Sequence, residues 1–114
     1  MSLHLKSLIT EIDGEVLTPQ VDIENIVVSD GYVADLLSDV MGNAKDNQVW
    51  ITIMKHLNSI AVASLANIPC IIYPKGIKPE PEVIDRATEE GICLISSSLP
   101  TFDIAGRLYS AFRK

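Results

Sequence analysis

Residues 48–73, QVWITIMKHLNSIAVASLANIPCIIY, contain the pattern that decides the fold of this chain. The β-branched run over 48–53 and the uninterrupted apolar run over 70–73 each predict a strand. In the stretch between them, Asn58 or Ser59 can cap a helix that runs to about Ala66. This stretch is apolar nearly all round, which predicts a buried helix. A strand, a helix and a second strand in this order indicate a parallel βαβ unit.

The same alternation continues on both sides of this unit. Further strands are predicted over 15–18, 26–29 and 92–95. Further helices are predicted over 2–12, over 33–41 after a turn at Asp30-Gly31, from Pro81 to Gly91, and from about Pro100 onward. In the last helix, the spacing places Phe102, Ala105, Leu108, Tyr109 and Phe112 on the core side. We therefore expect one α/β domain over residues 1–114, with three α/β/α layers and a mostly parallel sheet of about five strands.

The composition is that of a globular domain. Of the 114 residues, 47% are hydrophobic and 21% are charged, which excludes disordered, collagen-like and disulfide-scaffold classes. The apolar runs are too short for a membrane-spanning helix and no signal-peptide pattern is present, so we expect a cytoplasmic protein. The formal net charge is −6, and this argues against nucleic acid and anionic membrane surfaces as partners.

The two cysteines, Cys70 and Cys93, lie far apart in the sequence and inside apolar runs. Reduced, buried core thiols are the expected role for such residues. An iron–sulfur cluster normally needs four thiolates, and structural zinc sites usually have closely spaced Cys and His pairs. The sequence therefore predicts no cluster, no metal and no other cofactor.

The candidate ligand-binding residues come from the loops that follow the predicted strands. In an open parallel sheet, ligands bind beyond the carboxyl ends of the strands. The candidates are Ser29, Asp30, Gly31, Lys55, His56, Lys75, Gly76, Ser96, Ser97 and Ser98. Lysines beside free helix N-termini suit a phosphate or carboxylate, so an anionic metabolite or nucleotide is the predicted ligand. The alternative is that these residues only cap helices and form polar loops.

No catalytic arrangement is recognisable, and we do not expect an enzyme. The spacing of a phosphate-binding P-loop is missing around Lys75-Gly76. His56 beside Lys55 would suit a general base, but no nucleophile has an activating context, so a solvated histidine is the simpler interpretation. Asp35 and Asp39 lie one helical turn apart and are more typical of a water-facing helix surface than of a magnesium site.

Several segments resemble the DRTGG domain family. They are Asp30–Ala44, Val49–Ile53, Ile60–Leu65, Ile71–Gly76, Pro79–Ile84 and Glu89–Ile95, followed by the closing helix after Ser98. The resemblance covers nearly the whole chain and lies in the order and pattern of the segments. The chain departs from two strings that many members carry. Val-Ser-Asp-Gly-Tyr at 28–32 stands where an Asp-Arg-Thr-Gly-Gly-like string occurs, and Pro-Lys-Gly at 74–76 stands where Thr-Gly-Gly occurs.

The resemblance implies a fold like the N-terminal domain of HPr kinase/phosphatase, without its kinase activity. It implies a non-catalytic regulatory or assembly module. It also implies a link to iron-only hydrogenase or another redox complex, because similar stand-alone proteins are encoded near such enzymes. We further expect a homodimer, since the apolar fraction is high and Tyr32, Trp50 and Tyr73 are interpreted as exposed contributors to an interface.

Overall fold

The computed structural model describes residues 2–114. The helices are α1 (Leu5–Glu11), α2 (Leu37–Asn43), α3 (Leu57–Leu65), α4 (Pro81–Glu89) and α5 (Thr101–Phe112). The strands are β1 (Leu3–His4), β2 (Gly14–Val16), β3 (Val27–Val28), β4 (Asp30–Val33), β5 (Gln48–Ile51), β6 (Cys70–Tyr73) and β7 (Cys93–Ser97).

The main sheet has five strands in the order β2-β7-β6-β5-β4. The pairs β4–β5, β5–β6 and β6–β7 are parallel, whereas β2 runs antiparallel to β7. A separate short antiparallel pair joins β1 to β3. The expected α/β class and the mostly parallel five-stranded sheet are therefore confirmed.

Two apolar layers cover the two faces of the sheet. Along β6, Cys70 and Ile72 point into a core that α1 and α5 complete. Ile71 and Tyr73 point to the opposite face, where α2, α3 and α4 pack. All four β6 residues are buried, as expected for a central parallel strand that is covered on both faces. The α/β/α layering follows directly from this alternation.

The sequence-based interpretation of the aromatic residues was wrong at two positions. Trp50 and Tyr73 are both fully buried on the α2–α4 side of the sheet, not exposed. The Trp50 indole Nε1–H donates to the Ala34 carbonyl at 2.8 Å, so the polar atom of the ring is satisfied inside the core. Tyr32 is partly buried, and its hydroxyl donates to Asp39 Oδ1 at 2.7 Å.

The buried Tyr73 hydroxyl has no hydrogen-bond partner within residues 2–114, and burial raises its pKa. We expect Tyr73→Phe to raise the free energy of unfolding by about 1 kcal/mol, because it removes an unpaired buried polar group. Tyr32→Phe is the matched control and should lower the free energy of unfolding, since it removes the hydrogen bond to Asp39. Urea unfolding of both variants measures the difference. A loss of stability in Tyr73→Phe comparable to that in Tyr32→Phe would contradict this account.

Helix α5 is rotated relative to the prediction. Its buried residues are Ile104, Leu108, Ala111 and Phe112, whereas Phe102 is 88% exposed and Tyr109 is 61% exposed. Both sets have helical spacing. Because the prediction counted Phe102 and Tyr109 as core residues, its apolar stripe lies about a quarter turn away from the side of the helix that contacts the sheet. The helix therefore presents aromatic side chains to solvent.

Several element boundaries also differ from the prediction. Asp30-Gly31 is the beginning of β4 and not a turn, and the following helix begins only at Leu37. Ser96 and Ser97 belong to β7 and not to the loop after it. In the described part of the chain, no helix has the length and apolar character that crossing a membrane requires.

Candidate functional site

The four parallel strands end along one edge of the sheet, which we call the carboxyl edge. The strands β4, β5, β6 and β7 end at Val33, Ile51, Tyr73 and Ser97. The loops 34–36, 52–56, 74–80 and 98–100 follow these ends. In open α/β sheets this edge is where ligands bind.

The Asp35 carboxylate fixes two of these loops to each other. Its Oδ1 accepts hydrogen bonds from Thr52 Oγ1 at 2.8 Å and from the Ile53 N–H at 3.0 Å. Thr52 is buried, and its Oγ1 in turn accepts from the Met54 N–H at 3.1 Å. The backbone that leads into Lys55 and His56 is thereby held in place by the loop that follows the neighbouring strand β4. Asp35 is a structural anchor of the edge.

Lys55 and His56 line a surface groove of about 310 Å³ between the beginnings of α3 and α4. The other lining residues are Leu57, Asn58, Glu80, Glu82 and Val83. His56 is the N-cap of α3 and Glu80 is the N-cap of α4, and neither makes a side-chain capping hydrogen bond. Two helix N-termini without side-chain acceptors therefore meet at this groove.

The charges around the groove are mixed. Lys55 and the positive ends of two helix dipoles favour an anion. Glu80 and Glu82 lie at the start of α4, where carboxylates already interact favourably with that dipole. The α3 side of the groove is thus the side suited to a negative group, and the α4 side is suited to a hydrogen-bond donor or a cation.

Lys75 and Gly76 form a tight turn whose backbone N–H groups are already hydrogen-bonded within the chain. Both have positive φ, 58° and 70°, and the Ile77 N–H donates to the Pro74 carbonyl at 3.0 Å, the pattern of a type I′ turn. Their own N–H groups donate to the carbonyls of Leu99 and Ser97, at 2.9 and 2.8 Å. The Lys75 side chain is exposed and does not line the groove.

The serines 96–98 have different roles. Ser96 and Ser97 are buried, and their hydroxyls donate to the carbonyls of Ile77 and Ile12, at 2.8 and 2.6 Å. Ser97 Oγ also accepts from the Leu99 N–H at 3.1 Å. These two hydroxyl groups hold the sheet edge together, and only Ser98 is exposed to solvent.

Ser29, Asp30 and Gly31 lie at the opposite edge of the sheet, so their expected grouping with the other candidates was wrong. Asp30 is in register with Gln48, the first residue of β5. The physical reason is that these residues begin a strand instead of following one. Partial burial raises the pKa of Asp30, but the Gly31 N–H and the Arg113 guanidinium outweigh it and leave the pKa below its ordinary value.

The acidic side chains considered for metal binding are hydrogen-bonded to other residues, and the two thiols are buried. Asp39 Oδ1 accepts from Tyr32 Oη and from Asn43 Nδ2 at 2.9 Å. Residues 2–114 contain no group of three or more His, Cys, Asp or Glu side chains placed to hold a metal ion. Cys70 and Cys93 are in register on β6 and β7 and fully buried, and burial raises the pKa of the Cys70 thiol.

Sequence reasoning left Glu80 and Glu82 out of the carboxyl edge and assigned Asp35 to a water-facing helix surface, whereas Asp35 lies in the loop before α2. The signal for the two glutamates was present, because Glu-Pro-Glu at 80–82 is the start of a helix that the sequence predicts at Pro81. The signal for Asp35 was absent, since its role depends on β4 and β5 being neighbours.

This architecture defines an α/β domain with its polar loops gathered at the carboxyl edge of a mostly parallel sheet, the class in which small ligands bind beyond the strand ends. The chain belongs to the DRTGG domain family, whose model matches residues 7–111. The family expected from the sequence is therefore confirmed. A comparison with curated proteins found no match.

The fold is similar to that of a solved regulatory region. The crystal structure contains the CBS and DRTGG domains of the regulatory region of Clostridium perfringens pyrophosphatase, complexed with its activator diadenosine tetraphosphate. The TM-score is 0.73 at 19% sequence identity, over 91% of this chain and 44% of the other. The present chain thus spans less than half the length of that neighbour.

Proposed function

We propose that this chain is a non-catalytic regulatory module that acts as a homodimer. Its family membership and its likeness to part of a pyrophosphatase regulatory region support the regulatory role. Two of the candidate hydroxyl groups, those of Ser96 and Ser97, are committed to structural hydrogen bonds, which supports a role without chemistry.

The observation that carries the homodimer is the exposed aromatic surface of α5, with Phe102 and Tyr109 turned away from the core. Large apolar side chains grouped on the surface of a small domain are typical of an interface. Sedimentation velocity of the purified chain at micromolar concentration tests the proposal, with twice the mass of one chain as the expected result. A single monomeric species at that concentration would count against the homodimer.

A second candidate function is the sensing of an anionic metabolite or nucleotide in the groove between α3 and α4. The specific observation in its favour is the meeting of two helix N-termini beside Lys55 and His56. A thermal-shift panel of nucleotides, acyl phosphates and small carboxylates tests binding. Diadenosine tetraphosphate belongs in that panel, because it occupies the regulatory region of the structural neighbour.

For a ligand that stabilises the protein, we expect Lys55→Ala to weaken binding about tenfold, or about 1.4 kcal/mol. Lys75→Ala is the matched control, since Lys75 is an exposed lysine of the same edge that does not line the groove. Glu80→Gln should act in the opposite direction and strengthen the binding of an anion. Calorimetry measures all three variants, and equal effects of the two lysine variants would place the ligand outside the groove.

An association with an iron-only hydrogenase or another redox complex stays a prediction from the family resemblance. The two thiols are buried, so such a role would depend on protein contacts and not on a cluster ligated by this chain. A pull-down from the native organism that recovers no redox subunit would argue against it.

A further inference from the structure

The exposed side of α5 carries a pattern that the isolated chain does not explain. Phe102, Gly106, Tyr109 and Arg113 follow one another at intervals of four, three and four residues, which places them on one face of the helix. Phe102 is 88% and Tyr109 61% exposed. Arg113 lies over the Tyr109 ring, 4.2 Å from its centroid, and pairs with Asp30. This face therefore has aromatic side chains at two positions, and the contacts of Arg113 hold the side chains at its carboxyl end in place.

Gly106 is the unusual member of this face. It lies in the middle of a twelve-residue helix, where glycine is the least favourable residue apart from proline. A Cβ atom at this position would meet nothing within 4 Å, so packing within the chain does not require a glycine. A missing side chain on an exposed helix face lets a second backbone approach closely.

A groove lies next to this face, between α5 and the edge strand β4. It has a volume of about 110 Å³ and is lined mainly by apolar groups, among them Gly31, Val33, Ala105 and Tyr109. Its size is comparable to the cavity of about 150 Å³ that accommodates benzene in another protein. The groove is therefore large enough for about one aromatic ring. The exposed ring of Phe102 projects from the same helix.

We propose that α5 packs antiparallel against α5 of a second copy of this chain, with the two-fold axis near Ala105 and Gly106. Each Phe102 then fills the α5–β4 groove of the other copy, because an axis at this point places position 102 level with positions 108 and 109 of the second helix. One face supplies both the projecting ring and the cavity, as an isologous contact requires. The inference rests on the proposed homodimer and specifies its surface.

The charges of α5 agree with this arrangement. The chain has a net charge of −6, so most of its surface repels a second copy. On α5, however, Asp103 and Arg107 lie one turn apart on the same side of the helix. The antiparallel arrangement brings Asp103 beside Arg107 of the second copy, and the two-fold axis forms this pair twice. The Asp30–Arg113 pair is neutral within each copy.

Sedimentation velocity of the full chain tests the surface with Phe102→Glu and with Leu65→Glu as the matched control. Leu65 is 72% exposed, but it is on α3, across the sheet from α5. We expect Phe102→Glu to raise the dimer dissociation constant by more than about tenfold, whereas Leu65→Glu leaves it unchanged. Asp103→Arg should also weaken the dimer, and the double variant Asp103→Arg/Arg107→Asp should restore it.

A cross-linking measurement locates the axis independently. Cys70 and Cys93 are buried, so Ala105→Cys, which keeps Gly106 in place, introduces one partly accessible thiol close to its own symmetry mate. Mild oxidation should then give a disulfide-linked dimer, and Leu65→Cys should not.

The outcomes separate the two proposals. A wild-type chain that is monomeric overturns both. A dimer that survives Phe102→Glu without cross-linking at position 105, or that dissociates only in Leu65→Glu, overturns this inference and leaves the homodimer standing.

Discussion

Replacing Trp50 with alanine is expected to lower the free energy of unfolding by about 3–5 kcal/mol. Trp50 is the largest fully buried side chain and lies between the sheet and the helices α2 and α3. The truncation removes its apolar contacts, leaves a cavity, and deprives the Ala34 carbonyl of its 2.8 Å hydrogen bond. Urea unfolding followed by circular dichroism measures the loss, with the m value checked for constancy.

Two further variants separate the contribution of the indole hydrogen bond from that of apolar burial. Trp50→Phe keeps an aromatic ring and should lose only about 1–3 kcal/mol, mainly because the Ala34 carbonyl loses its donor. Leu65→Ala removes an exposed apolar side chain and should change the stability by less than about 0.5 kcal/mol. If Trp50→Ala cost no more than Leu65→Ala, the ring would be near the surface, as the sequence had suggested.

Replacing Ser97 with alanine is expected to cost about 1–3 kcal/mol of stability. The Ser97 hydroxyl donates to the Ile12 carbonyl and accepts from the Leu99 N–H. Both backbone groups lose their partner in Ser97→Ala, and the residue itself is only 1% exposed, so water does not replace the hydroxyl group freely. Thermal and urea unfolding measure the effect.

Ser98→Ala is the matched control, because it is the next residue along the chain and is exposed. We expect a change within about 0.5 kcal/mol. The comparison distinguishes a structural role for Ser97 from a ligand-binding role. A Ser97→Ala variant that kept its stability but no longer responded to a ligand would show that Ser97 has a ligand-binding role.

Much of the fold was predictable because the strongest signals were local. The run over 70–73 is uninterrupted and apolar, and Pro81 opens a helix at the expected position. The weaker predictions failed where tertiary contacts decide. Asp30-Gly31 has the composition of a turn, but pairing with Gln48 and Val49 makes it a strand.

The candidate site was predictable only in part, for the same reason. Lys55 and His56 follow a correctly predicted strand, and the structure places both in a groove at the carboxyl edge. Ser29 was placed at that edge because a strand was expected to end there, whereas the next strand begins one residue later. Whether a serine hydroxyl faces solvent depends on whether a carbonyl group from a distant part of the sequence lies beside it. No local sequence pattern contains that information.

The antiparallel pairing of β2 with β7 constrains the order in which the molecule is assembled. The Ser97–Ile12 hydrogen bond joins residues 85 positions apart, and α1 also packs against α5. During synthesis, the early segments α1 and β2 therefore gain these particular contacts only after the last strand and helix have been made. Closing so long a segment is entropically costly and slow compared with forming the β5-α3-β6 unit. We therefore expect the parallel centre of the sheet to form first and the antiparallel edge to be added last.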